Sequence, residues 1–281
     1  MLIREFWNEK SALFDSEGFE NGRATARLLL MKALNYDYTQ FIIHLEQPLS
    51  LEASRHFIAL SHLLEQHIPL QYILGKQEFM GLDFMVDERV LIPRPETEIL
   101  VQTIVNCLGL KETGHIADIG TGSGAIVVSL ANLLPNAHFS AVDISEDALS
   151  VALHNATLHG VTSRIDFHQG NMLAGLPSNT QYRAIVSNPP YITSEEMATL
   201  PQNVRYEPNL ALFGGADGLD FYRQLAKDAP ALLARDGLLA VEIGWQQGPA
   251  VQKLWLEAGL TKVEIIQDFA DHDRVVIGYK T

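Results

Sequence analysis

The stretch HIADIGTGSGAIVVSLANLL (115–134) decides how the rest of the chain is read. His115 to Ile119 form a short run suited to a strand, Asp118-Ile119-Gly120-Thr121-Gly122-Ser123-Gly124 is a glycine-rich turn, and from Ala125 the apolar residues continue at helical length. Glycine between a strand and a helix lets the backbone turn tightly and approach a ligand with no Cβ in the way. A helix N-terminus there offers amide N–H groups. The turn therefore predicts a nucleotide-like ligand.

Outward from this turn, β-branched runs alternate with helical ones. HFSAVD ends at Asp143, RIDFHQ at Gln169, YRAIVS at Ser187 and GLLAVEI at Ile243. SEDALSVALHNATLHG (145–160) is long enough for a second crossover helix. Strand and helix in alternation predict an α/β fold with a parallel, doubly wound sheet. KVEIIQD and RVVIGYK near the C-terminus predict an antiparallel pair at its edge. Residues 1–76 read differently: NGRATARLLLMKALN (21–35) and the run following Ser50 to His67 have helical spacing, and Ser50 stands as a cap. They predict a small helical domain. Between the two regions, EFMGLDFMVD (78–87) alternates around Gly81 as a β-hairpin does, and Pro93 and Pro95 follow. Residues 77–97 are thus expected as hairpin and connector, and 98–281 as the main domain, opening with a helix over Glu98 to Cys107.

Composition restricts the function classes. Of the 281 residues 47% are hydrophobic and 19% charged, which suits a sizeable core and excludes a disordered, collagenous or coiled-coil chain. The formal net charge of −14 speaks against a protein that neutralises many phosphates of a duplex. The single cysteine, Cys107, excludes an internal disulfide framework or a cysteine-based zinc site, and the histidines lack the spacing of a zinc protease helix. With no signal peptide and no membrane-length apolar run, the expectation is a cytoplasmic protein without metal.

Gly120, Gly122 and Ala125 also satisfy the dinucleotide fingerprint, so the turn alone leaves an NAD-dependent oxidoreductase open. Asp143, ending the second strand, is placed for ribose hydroxyls in either reading. Asp118 tilts the choice toward S-adenosylmethionine, because a carboxylate there can face an ammonium group and would repel a pyrophosphate. A second motif, Asn188-Pro189-Pro190-Tyr191, follows the fourth strand directly. Its two prolines fix φ and remove two N–H donors, which makes the loop a rigid rack of acceptors. The Asn188 side-chain oxygen and the Pro189 carbonyl can take both hydrogens of an –NH₂ group, and Tyr191 can pack flat on the planar group that carries it. An amide and an aromatic amine fit this description equally, so an N6-adenine methyltransferase acting on DNA or RNA stays open beside a protein methyltransferase.

Taken together, the glycine turn, Asn188 to Tyr191, Gln71-Tyr72-Ile73-Leu74-Gly75, Leu91-Ile92-Pro93-Arg94-Pro95-Glu96-Thr97-Glu98, Arg205-Tyr206-Glu207-Pro208 and Glu242 to Gly248 make the chain resemble the PrmC/HemK family of protein-(glutamine-N5) methyltransferases. The resemblance implies a class I, Rossmann-like methyltransferase domain behind a helical substrate-recognition domain. It implies S-adenosyl-L-methionine held by Asp118, Gly120, Thr121, Gly122, Ser123, Gly124, Asp143 and Asn188, and a substrate glutamine held by Asn188, Pro189, Pro190 and Tyr191. The partner it implies is a class 1 peptide chain release factor, modified in its GGQ loop. Where many members carry Asp-Trp near the adenine, this chain has Asn171-Met172. Asn can meet an adenine edge and Met can cover its face. Arg94, Glu96 and Glu98 fit either a substrate-facing ion-pair lattice or a salt-bridged hinge, and Trp245 and Gln246 fit either the site or loop packing.

Overall fold

A computed structural model of the chain describes residues 1–19 and 21–281, which divide into two compact units at Gly75 and Lys76. The first unit is helical: α1 (Ile3–Ser16), α2 (Gly22–Leu34), α3 (Tyr38–Ile43), α4 (Leu51–Glu65) and α5 (Leu70–Leu74). Helix α4 starts where its cap dictates, with Ser50 Oγ accepting from the Ala53 amide at 3.1 Å. Its core is built on Phe6, Phe14, Leu29, Leu30, Phe41 and Phe57, with Phe6 and Phe57 edge to face at 5.1 Å. Helix α1 has no counterpart in the sequence reading, because its charged residues mask an apolar stripe of Ile3, Phe6 and Phe14.

The second unit opens with the hairpin β1 (Lys76–Phe79) and β2 (Leu82–Met85), turned by Met80 and Gly81, both at positive φ. There follow α6 (Thr97–Leu108), β3 (His115–Ile119), α7 (Ala125–Leu133), β4 (His138–Asp143), α8 (Glu146–Leu158), β5 (Ile165–Gln169), β6 (Tyr182–Ser187), α9 (Ser194–Thr199), α10 (Asp220–Leu232), β7 (Leu233–Glu242), α11 (Gly248–Glu257), β8 (Thr261–Gln267) and β9 (Asp273–Tyr279). Seven strands form one sheet in the order β5-β4-β3-β6-β7-β9-β8. The pairs β4–β5, β3–β4, β3–β6 and β6–β7 are parallel, while β9 runs antiparallel to both β7 and β8. This is the expected doubly wound sheet with its antiparallel edge.

Alternation along the strands feeds two cores. On β3, Ile116 joins a core completed by Leu100, Val101 and Ile104 of α6 and by the buried side of α7. Ala117 and Ile119 join the opposite core, with Tyr222 and Leu225 of α10 and Trp255 of α11. The hairpin is part of this unit and is no loose tether: Phe79 and Phe84 enter the first core. Asn155, buried in α8, accepts from the Met85 amide at 2.8 Å and donates to the carbonyls of Met85 and Ser123. One side chain thereby ties the hairpin to the glycine turn. Among the described residues no helix is long and apolar enough to cross a membrane.

Candidate active site

The chain order reverses at β3, which has β4 on one side and β6 on the other, and a crevice opens at the carboxyl ends of these strands. A cavity of about 210 Å³ lies there. Gly120, Gly122, Asp143, Asn171, Met172, Asn188, Pro189 and Pro190 line it, and Leu91, Leu210 and Phe221 contribute apolar walls. A second chamber of about 90 Å³ adjoins it, lined by Arg94 and Tyr191 and again by Leu91, Asn188 and Pro189. Asn188 and Pro189 therefore belong to both. Of the residues anticipated from the sequence, Asp118, Thr121, Ser123 and Gly124 line neither chamber.

Those four support the turn from behind. Asp118 is 1% exposed, and its Oδ2 accepts from the Thr121 hydroxyl at 2.7 Å. Oδ1 has no hydrogen-bond partner of full geometry. Burial pushes the carboxyl up to about 7, against the hydrogen bond from Thr121. Gly124 lies against Ala152 of α8, where a Cβ would come within 3.1 Å of the Ala152 methyl. Gly120 and Gly122 are different: both have positive φ, and a Cβ on either would point into open space. They shape a bare cradle facing the cavity.

The amides of that turn are mostly spent. Gly120 and Thr121 donate to the Val142 carbonyl, Gly124 donates to Thr121, and Gly122 donates to Asp143 Oδ2 at 2.9 Å. Asp143 Oδ1 takes the Ser145 amide at 3.0 Å, so the carboxylate is held rigidly at the cavity wall. A pyrophosphate needs a nest of unspent N–H groups. This turn offers instead a carboxylate and glycine Cα surfaces, which suit ribose hydroxyls and a cationic ligand. The residues present thus fit S-adenosylmethionine better than NAD. Asn171 is exposed at the rim, while Met172 is buried at positive φ among Val142, Leu173 and Leu176.

On the other side of the crevice, the Ser187 hydroxyl donates to the Ile119 carbonyl at 2.6 Å and pins the end of β6 to β3. Asn188 Nδ2 donates to Thr97 Oγ1 at 3.1 Å, which commits the amide nitrogen to the protein and leaves the oxygen for a ligand. Tyr191 is held by Gln247, whose Nε2 donates to the Tyr191 carbonyl at 3.2 Å while its Oε1 accepts from the Gly244 amide at 3.0 Å. Burial pushes the Tyr191 phenol up to about 12, so it remains a neutral surface at any working pH. Gly214 is a glycine because the Asn188 to Tyr191 loop passes so close: a Cβ there would lie 2.6 Å from Tyr191 Cα.

The connector resolves into hinge contacts and one site contact. Glu98 accepts from the Met80 amide at 2.7 Å, and buried Glu207 receives both Arg94 and the Ile92 amide. Arg94 also lines the smaller chamber. Trp245 is exposed beside His272 and, with Gln246, lines an open surface groove that reaches Tyr191. Gln247 and Thr97, quoted above only as parts of motifs that carry the resemblance, are neighbours of the site with no role in the sequence reading. The same holds for Glu242, at the end of β7. It is 1% exposed, with an unpaired Oε2 and a carboxyl pushed up to about 7 by burial.

Comparison with known proteins gives the family. Residues 95–204 match the family model "Methyltransferase small domain", and residues 5–75 match "PrmC N-terminal domain". A release factor glutamine methyltransferase from Moorella thermoacetica is 42% identical over 281 residues, covering 100% of this chain and 99% of that one. The chain belongs to the release factor glutamine methyltransferases. A second member, from Bacillus subtilis, is 40% identical over 260 residues and 89% of each chain. Among solved structures, a methyltransferase from Pyrococcus furiosus aligns over 79% of this chain and 98% of its own, with a TM-score of 0.55 and 19% identity, a likeness of fold. Membership in the release factor glutamine methyltransferase family makes this protein an α/β methyltransferase, so the oxidoreductase reading of the glycine turn falls away.

Proposed function

We propose that the protein transfers the methyl group of S-adenosylmethionine to the side-chain amide nitrogen, N5, of the glutamine in the GGQ loop of a peptide chain release factor, in the cytoplasm. The observation that carries this reading is the meeting of two chambers at Asn188 and Pro189. The larger suits a nucleoside ligand, with Asp143 toward the ribose and the bare faces of Gly120 and Gly122 beneath the ligand's backbone. Asn171 and Met172 are then the groups near the adenine. The smaller, narrow and flanked by Tyr191, suits a slim planar side chain.

S-adenosylmethionine, when bound, supplies an electrophilic methyl group on a sulfonium. The protein's own part is to make a poor nucleophile competent. An amide nitrogen has a delocalised lone pair and two hydrogens. With Asn188 Nδ2 tied to Thr97, the Asn188 oxygen and the Pro189 carbonyl are the two acceptors for those hydrogens. Accepting both fixes the amide, turns its lone pair toward the larger chamber and leaves acceptors beside the positive charge that develops on nitrogen. Tyr191, neutral and held by Gln247, forms the flat wall. As the N–C bond forms, the bond from methyl to sulfur breaks and its electron pair stays on sulfur; the alkylated nitrogen is acidic and gives one proton to water without a strongly basic partner. The helical unit, residues 1–75, serves in this reading to recognise the intact release factor.

Incubation with labelled S-adenosylmethionine and, separately, release factor, tRNA and duplex DNA tests the assignment. Mass spectrometry should find the label on the loop glutamine. Efficient labelling of tRNA or DNA, with none on the glutamine, overturns it in favour of an amino-group methyltransferase of nucleic acid.

A further inference from the structure

Behind Asn188 lies a buried carboxyl that the proposed chemistry has not used. Ser187 of β6 stands opposite Val241 of β7, so Asn188 and Glu242 leave the sheet side by side. Thr97, 4% exposed at the start of α6, completes the group by accepting from Asn188 Nδ2. A hydroxyl that accepts from Asn188 keeps its own proton to donate. The carboxyl beside this pair is Glu242, which the strand register sets next to Asn188; burial raises it, and Thr97 and Asn188, as hydrogen-bonding groups, pull it back down.

We infer that Glu242 is a positioning residue that, as a carboxylate acting through the Thr97 hydroxyl, fixes the Asn188 amide with its oxygen toward the reacting group. The inference rests on the reading of Asn188 as an acceptor for the substrate amide. Direction is the essential point. An ionised Glu242 can only accept, so the Thr97 proton points to it and Thr97 meets Asn188 Nδ2 as an acceptor. A protonated Glu242 donates to Thr97 instead, which releases the Thr97 proton to point at Asn188 and favours the turned amide, with its oxygen on Thr97 and its nitrogen toward the substrate.

The groups facing Glu242 come from several elements. Arg274 of β9, paired with Asp268, favours the carboxylate; Glu96 of the connector opposes it, as does burial. Tyr191 lies near, and Tyr222 of α10 donates to the Glu242 main-chain carbonyl at 3.1 Å. The balance puts the carboxyl at about 7, inside the range in which the enzyme would be assayed.

The test is kcat against pH for the full chain, at saturating S-adenosylmethionine and saturating release factor, for the parent, Glu242→Gln, Thr97→Val, Thr97→Ser and the double variant Glu242→Gln/Thr97→Val. Saturating cofactor keeps any effect of Asp118, behind the glycine turn, on cofactor affinity out of kcat, and the loss of the limb in Glu242→Gln distinguishes the two carboxyls. The parent should lose rate as pH falls through about 7. Glu242→Gln should lose that limb and run about 10- to 100-fold slower on the plateau, the penalty of a misdirected contact. Thr97→Val should match it, the double variant should be no slower than the slower single, Thr97→Ser should retain the rate, and cofactor affinity by calorimetry should not change. Parental rate and pH profile in Glu242→Gln, or parental rate in Thr97→Val, overturn the inference if Asn188→Ala is slow. Asn188→Ala at the parental rate instead overturns the acceptor reading beneath it.

Discussion

Asp118 and Glu242 lie near the carboxyl ends of two strands of the sheet and do different work. Asp118 is one residue from the end of β3 and Glu242 is the last of β7; each is 1% exposed, has one oxygen without a full hydrogen bond, and is pushed up to about 7 by burial. Each has a threonine for a partner. For Asp118 that partner is Thr121, three residues on, and the result is a braced backbone turn. For Glu242 the partners are Thr97 and Asn188, brought from two other segments, and the result is an aimed side chain. In the proposed reading the cofactor side of the crevice is thus a backbone surface fixed locally, and the transfer side is a set of side chains fixed by tertiary packing.

The largest effect expected from this comparison is on stability. A carboxyl whose folded value is about 7 against an ordinary 4.5 holds its proton in the folded state after the unfolded chain has released it. Its stabilising contribution is complete below about 4.5 and is lost as pH rises through about 7. Glu242→Gln removes that loss. The stability of the variant relative to the parent should therefore rise by about 2 to 3 kcal/mol between about pH 5 and about pH 8, read by denaturant unfolding. Asp118→Asn should gain in the same direction. A difference that is flat with pH would mean that Glu242 is not buried as a lone carboxyl.

Next in size, Asn188→Ala should lower the single-turnover rate on the order of hundredfold with cofactor binding nearly intact, by analogy with removal of one placed hydrogen-bonding group from an oxyanion hole. Asp143→Ala divides the comparison from the other side. It should weaken S-adenosylmethionine binding by roughly 1 to 3 kcal/mol, as for hydrogen bonds to a charged group, and calorimetry measures this directly. The two variants should fail in opposite ways, one in kcat and the other in cofactor affinity. A shared phenotype would show that the two sides of the crevice are not separable.

How much of this was legible in the sequence follows the same division. The glycine turn, Asp143 and Asn188 to Tyr191 are contiguous motifs at strand ends, and periodicity located the sheet strands, including the antiparallel edge. Helices α10 and α11 left no reading, because Pro230 lies inside the first and Gly248 and Pro249 open the second, where they look like punctuation. The role expected of Asp118 illustrates the limit. Sequence places a carboxylate beside the turn, but β3 turns its side chain inward, where it braces Thr121 and does not line the cavity. Thr97, Gln247 and Glu242 stand in motifs that carry the family resemblance, but no role could be read from them. Thr97 reads as an ordinary first-turn residue, and Glu242 as the odd polar residue in GLLAVEI. That last feature is a signal in retrospect: a carboxyl at the end of a strand buried on both faces has to be paired or neutralised.

The smallest expected effect concerns association. The chain carries a net charge of −14, whereas a loop that works against ribosomal RNA would be basic, so attraction should speed their encounter. Screening shortens the reach of that attraction from about 14 Å at about 0.05 M salt to about 4 Å at about 0.5 M. The value of kcat/KM for release factor should then fall on the order of several-fold over this range, with kcat unchanged, because steering acts on encounter and the contacts around Asn188 act afterwards. Cofactor binding should respond less, since Asp143 meets neutral hydroxyls in this reading. A protein that neutralises many phosphates would lose orders of magnitude over the same range, so a steep slope would point back to a nucleic-acid substrate. A flat response, with labelling of the loop glutamine intact, would leave the chemistry standing and assign recognition to short-range contacts, those of the helical unit first among them.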